Sequence, residues 1–573
     1  MKFEINSLKT KPLAVPLFLG FLWFIAACLV VPNINSIITV FYQGNRFTAE
    51  PLFKLLQSAR AMRSLKNSFI LAPTLSLTVG VIGLSLVFIT EYFDIRGAKI
   101  LRLGYMTTLI YGGIILVSGY KFLYGHNGYL TRIMARIIPS LNQDWFTGYW
   151  AVLFVMTFAC TSNHMIFLRN AMSSVDYQTV EAAQNMGAKP WSIIGRVVLP
   201  VLTPSLLAVT ILTFLTGLGA TSAPLLVGGT DFQTITPMIL DFANTVGSRD
   251  LAVLLAIFLG LASIFLLAIF KQIEKRGNYL SVSKVKTGIK KQKIRNPILN
   301  TLAHSYAYIL FLIYVLPVVL IILFSFTDSA AISQRHLSPS SFTLANYLGV
   351  FSSPRAYRPF AVSVVYSALA SVTVAVLILV SCRIITKAQN RLGGALEYSL
   401  LIPWLLPHTL IAMGLITTYN SSRWFMFNQI LTGSLFILFL GYVIIRIPFT
   451  LRMTKAAFFA IDDSLEDAAR NLGARGIYTF MRVILPIIMP TVLALFALNF
   501  NSLLGDYDMT VFLYHPLTRT LGIHIRSLTD NQNNADNAAI TFVYAVLMML
   551  IAALVLYLVY GRFSKDALGE EGR

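Results

Sequence analysis

The chain has 573 residues, of which 56% are hydrophobic and only 12% are charged. Soluble domains carry about 25% charged residues, so this composition excludes an ordinary soluble protein and indicates a membrane protein. The net charge of +21 could suggest a nucleic-acid partner. We expect none, because the basic residues lie at the ends of apolar segments and are not interleaved with stacking aromatic residues.

Apolar runs of about 20 residues predict six membrane-spanning helices in the first part of the chain. They lie at 13–40, 67–91, 103–123, 148–168, 201–221 and 250–270. Six further runs lie at 303–326, 361–386, 397–419, 430–450, 487–505 and 539–561. These runs are continuously apolar, whereas barrel strands alternate in polarity. We therefore expect an all-α integral membrane protein with about twelve transmembrane helices.

A basic segment separates the two sets of apolar runs. From Lys271 to Pro297 it contains many Lys and Arg residues and a single acid, Glu274. Basic loops favour the cytoplasmic side, and an even number of spans places both termini there as well. The segment can also lie against anionic lipid headgroups. We therefore divide the chain into a first half at 1–270, a cytoplasmic linker at 271–300 and a second half at 301–573.

A polar loop between the fourth and fifth predicted spans occurs in both halves. The first copy runs from Glu181-Ala182-Ala183 through Gly187 to Leu199-Pro200. The second copy runs from Asp467-Ala468-Ala469 through Gly473 to Leu485-Pro486. One offset of 286 residues relates all of these landmarks without a gap, so the sequence indicates a tandem duplication.

The residue types of this loop predict a helix, a turn and a second helix. Small alanines allow a short helix to lie close to a partner, and the acidic residue can accept charge-assisted hydrogen bonds. Gly187 and Gly473 can adopt the left-handed conformation that follows a helix end. Pro200 and Pro486 suit the first turn of the next membrane helix, where an amide N–H is not needed.

Both copies resemble the EAA loop found in the permeases of type I ABC importers, at about 171–200 and 457–486. The second copy departs from the family pattern, since Asp467 stands where the family has Glu. The resemblance implies two homologous six-helix halves and assigns ATPase coupling to one set of residues in each loop. These residues are Glu181, Ala182, Ala183 and Gly187 in the first loop, and Asp467, Ala468, Ala469 and Gly473 in the second.

The resemblance also implies the partners: two ABC ATPase subunits on the cytoplasmic side and an external substrate-binding protein. The sequence contains no phosphate-binding Gly-x-x-x-x-Gly-Lys-Ser/Thr motif, so we expect ATP and Mg to be bound by the partner ATPase. The chain itself is then a transport subunit without an ATPase site and without a cofactor. The expected location is the plasma or inner membrane of a prokaryote.

Two stretches are candidates for the pathway or its gate. His408 follows Pro407, which can break the ninth span, and irregular backbone in a membrane is tolerated chiefly where it is buried in protein or lines a cavity. The segment after the eleventh span contains Asp506, Tyr507 and Asp508. Their spacing matches no established ligand motif, so no metal site is predicted. Arg383, near a span end, is expected to be an interfacial anchor.

Fused permeases with two EAA loops look most like importers of ferric iron, free or chelated. Related importers of thiamine, phosphonate or polyamine remain alternatives. A secondary transporter of the major facilitator type would also have twelve spans in related halves. It would not need two ATPase-docking loops, and ion coupling usually leaves more acidic residues inside the spans.

Overall fold

The structure is a computed structural model that describes residues 14–43, 46–245, 247–276, 290–334, 336–388, 391–459, 461–530 and 535–562. Helices and their connecting loops make up almost all of this part of the chain. One small hairpin pairs two antiparallel strands, β1 (Tyr42–Gln43) and β2 (Arg46–Phe47). The all-α prediction is confirmed.

The helices of the first half begin with α1 and end with α12, and short 3₁₀ turns connect some of them. Their bounds are α1 (Leu19–Phe41), α2 (Glu50–Gln57), α3 (Ala59–Tyr92), α4 (Ala98–Tyr105), α5 (Gly113–Tyr124), α6 (Tyr129–Ile137), α7 (Gly148–Met172), α8 (Tyr177–Asn185), α9 (Pro190–Leu218), α10 (Ser222–Val227), α11 (Ile235–Asn244) and α12 (Arg249–Arg276).

The helices of the second half follow a similar order. Their bounds are α13 (Pro297–Ser325), α14 (Ser329–Gln334), α15 (Ala345–Ser352), α16 (Pro354–Ala388), α17 (Arg391–Leu400), α18 (Ile402–Leu405), α19 (His408–Tyr419), α20 (Leu435–Phe459), α21 (Asp463–Asn471), α22 (Gly476–Leu504), α23 (Thr510–Leu513), α24 (Leu521–Asp530) and α25 (Ala535–Leu556).

Ten helices within the described ranges are long and apolar enough to cross a membrane. The third predicted span of each half is different, because it is sharply bent. The bend is 114° between Ala98–Leu109 and Gly113–Ile137, and 103° between Gly393–Leu405 and His408–Tyr419. The expectation of a continuous span at 103–123 is therefore wrong, and the count is twelve only if each bent pair is one span.

The two bends have different local causes. Gly113 begins α5 with a φ of +57°, a backbone conformation that side chains with a Cβ disfavour. In the second half, Pro407 lies between α18 and α19 with an extended ψ of 148°. Proline lacks the amide N–H that a continuous helix needs and restricts the preceding residue to extended conformations. Pro407 breaks the ninth span, as its position predicted.

The polar loop that contains α8 or α21 and the elements after it repeat along the chain with one offset. Helices α21, α22 and α24 begin and end 286 residues after α8, α9 and α11, respectively. The widened π-helical turns Ile194–Val198 and Phe480–Ile484 obey the same offset. The structure thus extends the duplication seen in the loop to the helices that follow it.

The fifth span of each half begins earlier than the sequence predicts. Helix α9 starts at Pro190 and continues through Pro200 to Leu218. The π turn ends at Val198, two residues before the proline, and the amide of Leu199 donates to the carbonyl of Ile194. This widened turn accommodates a proline ring and a missing N–H inside a helix. Pro200 and Pro486 lie in the first turn of the regular α-helical part of each span, as predicted, but a π turn and a further helical turn precede them in the same helix.

The first span of each half packs against the opposite half. Helix α1 contacts α19, and the Tyr419 hydroxyl donates to the carbonyl of Ala27. Helix α13 contacts α4 and α5, where the Tyr105 hydroxyl donates to the Ala307 carbonyl at 2.8 Å. The bent helix pair of each half packs against the first span of the opposite half, so the two halves are interlocked.

The ends of the predicted linker are structured. Helix α12 continues to Arg276, and α13 begins at Pro297 with Asn296 as its N-cap. Residues 277–289 lie outside the described residues. Between them and α13, Gln292 forms two backbone hydrogen bonds with the end of α3, to the Tyr92 carbonyl at 2.7 Å and from the Asp94 amide at 2.9 Å.

Candidate functional site

Helix α8 is a short helix with well-defined ends. The Asp176 carboxylate accepts a hydrogen bond from the Gln178 amide at 3.1 Å and so caps the start of the helix. Gly187 follows the helix with a φ of +77°. There its amide donates to the Gln184 carbonyl at 2.9 Å, and the Ala188 amide donates to the Ala183 carbonyl at 3.0 Å. This pair of bonds is a Schellman motif, which satisfies carbonyls that a helix end leaves free.

Helix α21 has the same geometry. The Asp462 carboxylate accepts a hydrogen bond from the Ser464 amide at 2.9 Å. Hydrogen bonds from the backbone and side chain of Ser464 lower the pKa of the Asp462 carboxyl below its ordinary value. Gly473 has a φ of +82°. The Gly473 amide donates to the Arg470 carbonyl at 2.9 Å, and the Ala474 amide donates to the Ala469 carbonyl at 3.0 Å. Both glycines adopt the predicted left-handed conformation.

The two helices present similar surfaces to solvent. Glu181 and Ala182 in α8 are exposed, as are Asp467 and Ala468 in α21, whereas Ala183 and Ala469 are half-buried. A large apolar side chain is exposed at each helix end, with Met186 81% and Leu472 89% accessible. Trp191 and Ile477 are exposed at equivalent positions just beyond. Large apolar side chains exposed in corresponding places are typical of a surface that contacts a partner.

The undersides of the two helices differ. Val180 is fully buried and fixes α8 through apolar contact. The equivalent residue of α21 is Glu466, which forms an ion pair with Arg383 of α16. The side chains of this pair are only 16% and 22% exposed, and the Arg383 guanidinium also lies 5.5 Å from the Phe480 ring centroid. The expectation that Arg383 is a membrane anchor is wrong, because its charge is paired with α21.

The linker contacts α8 directly. The side-chain amide of Gln184 donates to the side-chain oxygen of Gln292 at 2.7 Å. The Lys290 ammonium lies 5.3 Å from the centroid of the Tyr177 ring. In α21 the residue equivalent to Gln184 is Arg470, which lies 3.6 Å from Asp467 on the same helix. Helix α8 therefore contacts the linker through Gln184, whereas the corresponding residue of α21, Arg470, contacts only its own helix in the ion pair described.

The predicted pathway residues lie where the bent ninth span, α20 and the loop after α22 approach one another. His408 is the first residue of α19 and is exposed, whereas Tyr507 is buried. Asp506 and Asp508 are half-buried. The Asp506 carboxylate accepts from the Thr510 amide at 3.1 Å and from its hydroxyl at 2.9 Å. Asp506 thus holds the start of α23, a role that the sequence did not reveal.

Sequence reasoning missed Arg446, which lies near the middle of α20. The Asp506 carboxylate reaches this face of α20 through Thr510, whose hydroxyl contacts the Tyr442 hydroxyl. The Nε of Arg446 is buried without a hydrogen-bond partner among the described residues. Tyr442 and Thr450 lie one turn before and after it on the same face, bonded to Thr510 at 2.6 Å and Asn499 at 2.8 Å. Polar residues at i, i+4 and i+8 in an apolar run were the signal for this stripe.

The charged cluster belongs to the second half. At the offset of 286 residues, the first-half residues that correspond to Arg446 and Asp506 are Cys160 and Ala220. No group of three or more His, Cys, Asp or Glu side chains arranged to hold a metal occurs in the part of the chain that the structure describes. The cluster combines one fixed cation with carboxylates and an imidazole, so it offers both hydrogen-bond donors and acceptors within an apolar segment.

Comparison with protein families gives a single result that covers both halves. The family described as binding-protein-dependent transport system inner membrane component matches residues 13–277 and again residues 293–567. The chain belongs to this family. It is therefore a multi-pass inner-membrane permease of an ABC importer, and its two matches correspond to a fused repeat. The family component lacks an ATPase site of its own.

Relatives of the permease cover most of its length. The Probable ABC transporter permease protein y4fN of Sinorhizobium fredii is 37% identical over 537 residues, which are 93% of this chain and 94% of that protein. The Ferric transport system permease protein FbpB of Actinobacillus pleuropneumoniae is 22% identical over 541 residues, 91% of this chain and 75% of that protein. A crystal structure of a bacterial alginate ABC transporter with its pentasaccharide-bound periplasmic protein contains a chain that is 17% identical to this one. That match has a TM-score of 0.40 and covers 49% of this permease and 99% of the matched chain.

Proposed function

We propose that α8 and α21 each dock one ATPase subunit, so that ATP-driven movement of the two subunits is transmitted to both halves of the permease. The observation that carries this proposal is the pair of exposed helices with the same capping and the same Schellman ending. Both have an exposed apolar residue at the tip. We propose that the linker, which contacts α8 through Gln292, lies on the cytoplasmic side with these helices, and that both termini lie on the same side.

For the transported solute we propose ferric iron, free or chelated. Support comes from the two-half organisation and from the ferric-transport relative that aligns with 91% of this chain. The residues near the proposed pathway refine this proposal. Arg446 would repel a bare trivalent cation and attract carboxylate or phosphate oxygens, so iron carried in an anionic complex fits the cluster better than the free ion.

The proposed pathway passes the cluster of His408, Arg446 and Asp506, with Tyr507 and Asp508 at its gate. Ionisable groups inside a membrane protein are costly and usually face an interior cavity or a partner charge. Here the break at Pro407 exposes His408 beside that cluster. A polar solute crossing the bilayer would find hydrogen-bonding groups at this depth, which the apolar counterparts in the first half do not provide.

The test is reconstitution of the permease with its ATPase and substrate-binding protein in vesicles. We expect two ATPase copies for each permease, no ATP hydrolysis by the permease alone, and uptake of radiolabelled iron supplied as citrate or phosphate complexes. The variant Arg446→Gln should lower uptake roughly tenfold or more while ATPase assembly is retained, because a charge-assisted contact to the solute is lost. Arg446→Lys is the control that keeps the charge.

The outcomes separate the parts of the proposal. Uptake of thiamine, a phosphonate or a polyamine without uptake of iron would replace the substrate and leave the docking role intact. ATP hydrolysis by the isolated permease, or assembly with the ATPase after removal of the apolar tips in Met186→Asp and Leu472→Asp together, would refute the docking role. Normal iron uptake by Arg446→Gln would remove the cluster from the pathway.

A further inference from the structure

A second internal repeat lies far from the cytoplasmic loops. The first copy is Ser58-Ala59-Arg60-Ala61-Met62-Arg63, and the second is Ser353-Pro354-Arg355-Ala356-Tyr357-Arg358. Serine, the central alanine and both arginines recur at an offset of 295 residues. The repeat therefore places two arginines, three residues apart, at the start of the second span of each half.

Both copies occupy the same structural position. An eight-residue helix, α2 or α15, ends at the serine, and the long span α3 or α16 begins directly after it. In the first copy, the Ser58 hydroxyl accepts from the Ala61 amide at 3.4 Å. In the second, the Ser353 carbonyl accepts from the Ala356 amide at 3.0 Å. The arginines are thus presented on the first turn of a fixed helix.

One further hydrogen bond recurs in both halves and gives each copy the same position within its half. The Ser68 hydroxyl accepts from the Ile235 amide at the start of α11, at 2.9 Å. In the second half the Ser363 hydroxyl accepts from the Leu521 amide at the start of α24, at 2.8 Å. Each serine lies five residues beyond the second arginine of its motif, so each arginine pair has the same relation to its half.

The arginines lie at the face opposite the cytoplasmic helices. The other end of α3 bonds to Gln292, which contacts α8. The other end of α16 carries Arg383, which pairs with Glu466 of α21. Under the proposed topology, the arginine end of each span is extracytoplasmic. Basic residues are disfavoured in short loops on that side, so a duplicated pair there calls for a functional reason.

The side chains available for contact are Arg63, Arg355 and Arg358. All three are exposed, and no hydrogen bond or ion pair of theirs occurs within the described residues. Arg60 differs, because its guanidinium is 2.6 Å from the Asp241 carboxylate. Arg63 also borders an open groove of about 260 Å³ that includes Asn67 of α3 and Thr230 and Gln233 of the following loop. The unpaired arginine common to both copies is the last one, Arg63 or Arg358.

We propose that Arg63 and Arg358 are two equivalent docking contacts for the substrate-binding protein, one in each half, and that its facing surface carries carboxylates on both lobes. This inference rests on the proposed function. Binding proteins of this kind close two domains around a ligand by a hinge, so two matched cationic points fit a partner with two lobes. Complementary charges at an interface mainly accelerate association and set its register.

The experiment uses the permease with its ATPase in lipid nanodiscs and the purified substrate-binding protein of the same transporter. Association and dissociation rates are measured by biolayer interferometry over a series of salt concentrations. We expect Arg63→Glu or Arg358→Glu to reduce affinity about tenfold each at low salt, chiefly through slower association, and the double variant to lose most of the salt dependence. Arg63→Lys and Arg358→Lys keep the charge and should bind nearly as the wild type does.

Each outcome decides one question. If the wild type binds the protein and both charge reversals bind equally well with the same salt dependence, the docking inference is overturned while the proposed function stands. If the wild type does not bind the protein at all, the proposed function itself fails. If the reversals reduce only the association of the purified permease with vesicles containing phosphatidylglycerol, the arginines contact lipid headgroups and the inference is likewise overturned.

Discussion

Helices α8 and α21 expose similar surfaces to solvent, but different contacts attach them to the membrane helices. Their bounds differ by 286 residues, and each begins at an aspartate cap and ends in a glycine-dependent Schellman motif. The inward residue is Val180 in one and Glu466 in the other. After duplication, the surface available to a partner has kept its geometry, whereas the attachment to the membrane helices has diverged.

The divergence gives each helix its own connection to the rest of the molecule. Helix α8 is linked by Gln184 to Gln292, and thus to the segment that joins the halves. Helix α21 is linked by Glu466 and Arg383 to the span α16. Under the docking proposed above, two similar ATPase subunits bind similar surfaces, and their movement reaches the two halves through different contacts.

The largest effect is expected from changes that break the feature shared by both helices. Gly187→Val and Gly473→Val each force a β-branched residue into a φ near +80°, at a cost of roughly 1–3 kcal/mol. No atom lies within 4 Å of a Cβ added at either position, so the cost is conformational and not steric. We expect either substitution to reduce ATP-driven transport about tenfold or more, as measured by uptake in vesicles.

A matched control is Gly195→Val, because a Cβ at Gly195 also meets no atom within 4 Å and its φ is not positive. Gly187→Asn is a second control, since asparagine tolerates the left-handed region better than valine does. Transport that is equally reduced in Gly195→Val and Gly187→Val would show that the turn conformation is not what matters.

A smaller effect, confined to the second half, is expected from Glu466→Gln. Hydrogen bonds to charged groups contribute about 1.5–3 kcal/mol when buried and less when exposed, so we expect about 1–2 kcal/mol for this half-buried pair. The ATPase bound at α21 should crosslink less efficiently, while crosslinking at α8 is unchanged. Pairs of introduced cysteines, one in each helix and one in the ATPase, measure the two sites separately.

The double variant Glu466→Leu with Arg383→Leu supplies the complementary measurement, because it replaces the ion pair by the kind of apolar contact that Val180 provides. Paired apolar substitution of a buried ion pair is often neutral, whereas loss of one partner is not. Crosslinking at α21 should therefore recover. If Glu466→Gln alone behaves as the wild type does, the ion pair does not position α21.

The sequence was sufficient to predict the features that depend on local residue type. Apolar runs predicted the helical fold, and the repeated small-residue and glycine pattern predicted α8, α21 and the glycines that end them. The two EAA-like loops and the matching family assignment agree. The ATPase-coupling role of Glu181, Asp467 and their neighbours stays a prediction, as do the boundaries of the halves and the gate role of His408.

Features that depend on contacts between distant segments could not be predicted. Glu466 is separated from Arg383 by 83 residues, so its role differs from that of Val180 only once α16 and α21 are packed. Hydropathy does not record the direction of the chain, so the bend at Gly113 could not be predicted from it. The crossed packing of α1 and α13 against the opposite halves likewise has no signature in a window of 20 residues.

The smallest effect is expected at the other unequal contact, between α8 and the linker. Gln292→Ala removes one neutral hydrogen bond to Gln184, while its backbone bonds to the end of α3 remain. Such a bond contributes about 0.5–1.5 kcal/mol, and its exposure to water favours the lower end. We expect amide hydrogen exchange in α8 to accelerate by roughly two- to fivefold, which corresponds to the lower part of that range, with no change in α21. Gln184→Ala should give the same acceleration, and the double variant should add little, because both changes remove one bond. A comparable acceleration in α21 would mean that the linker acts on both halves, and the asymmetry between the two helices would then lie only in Val180 and Glu466.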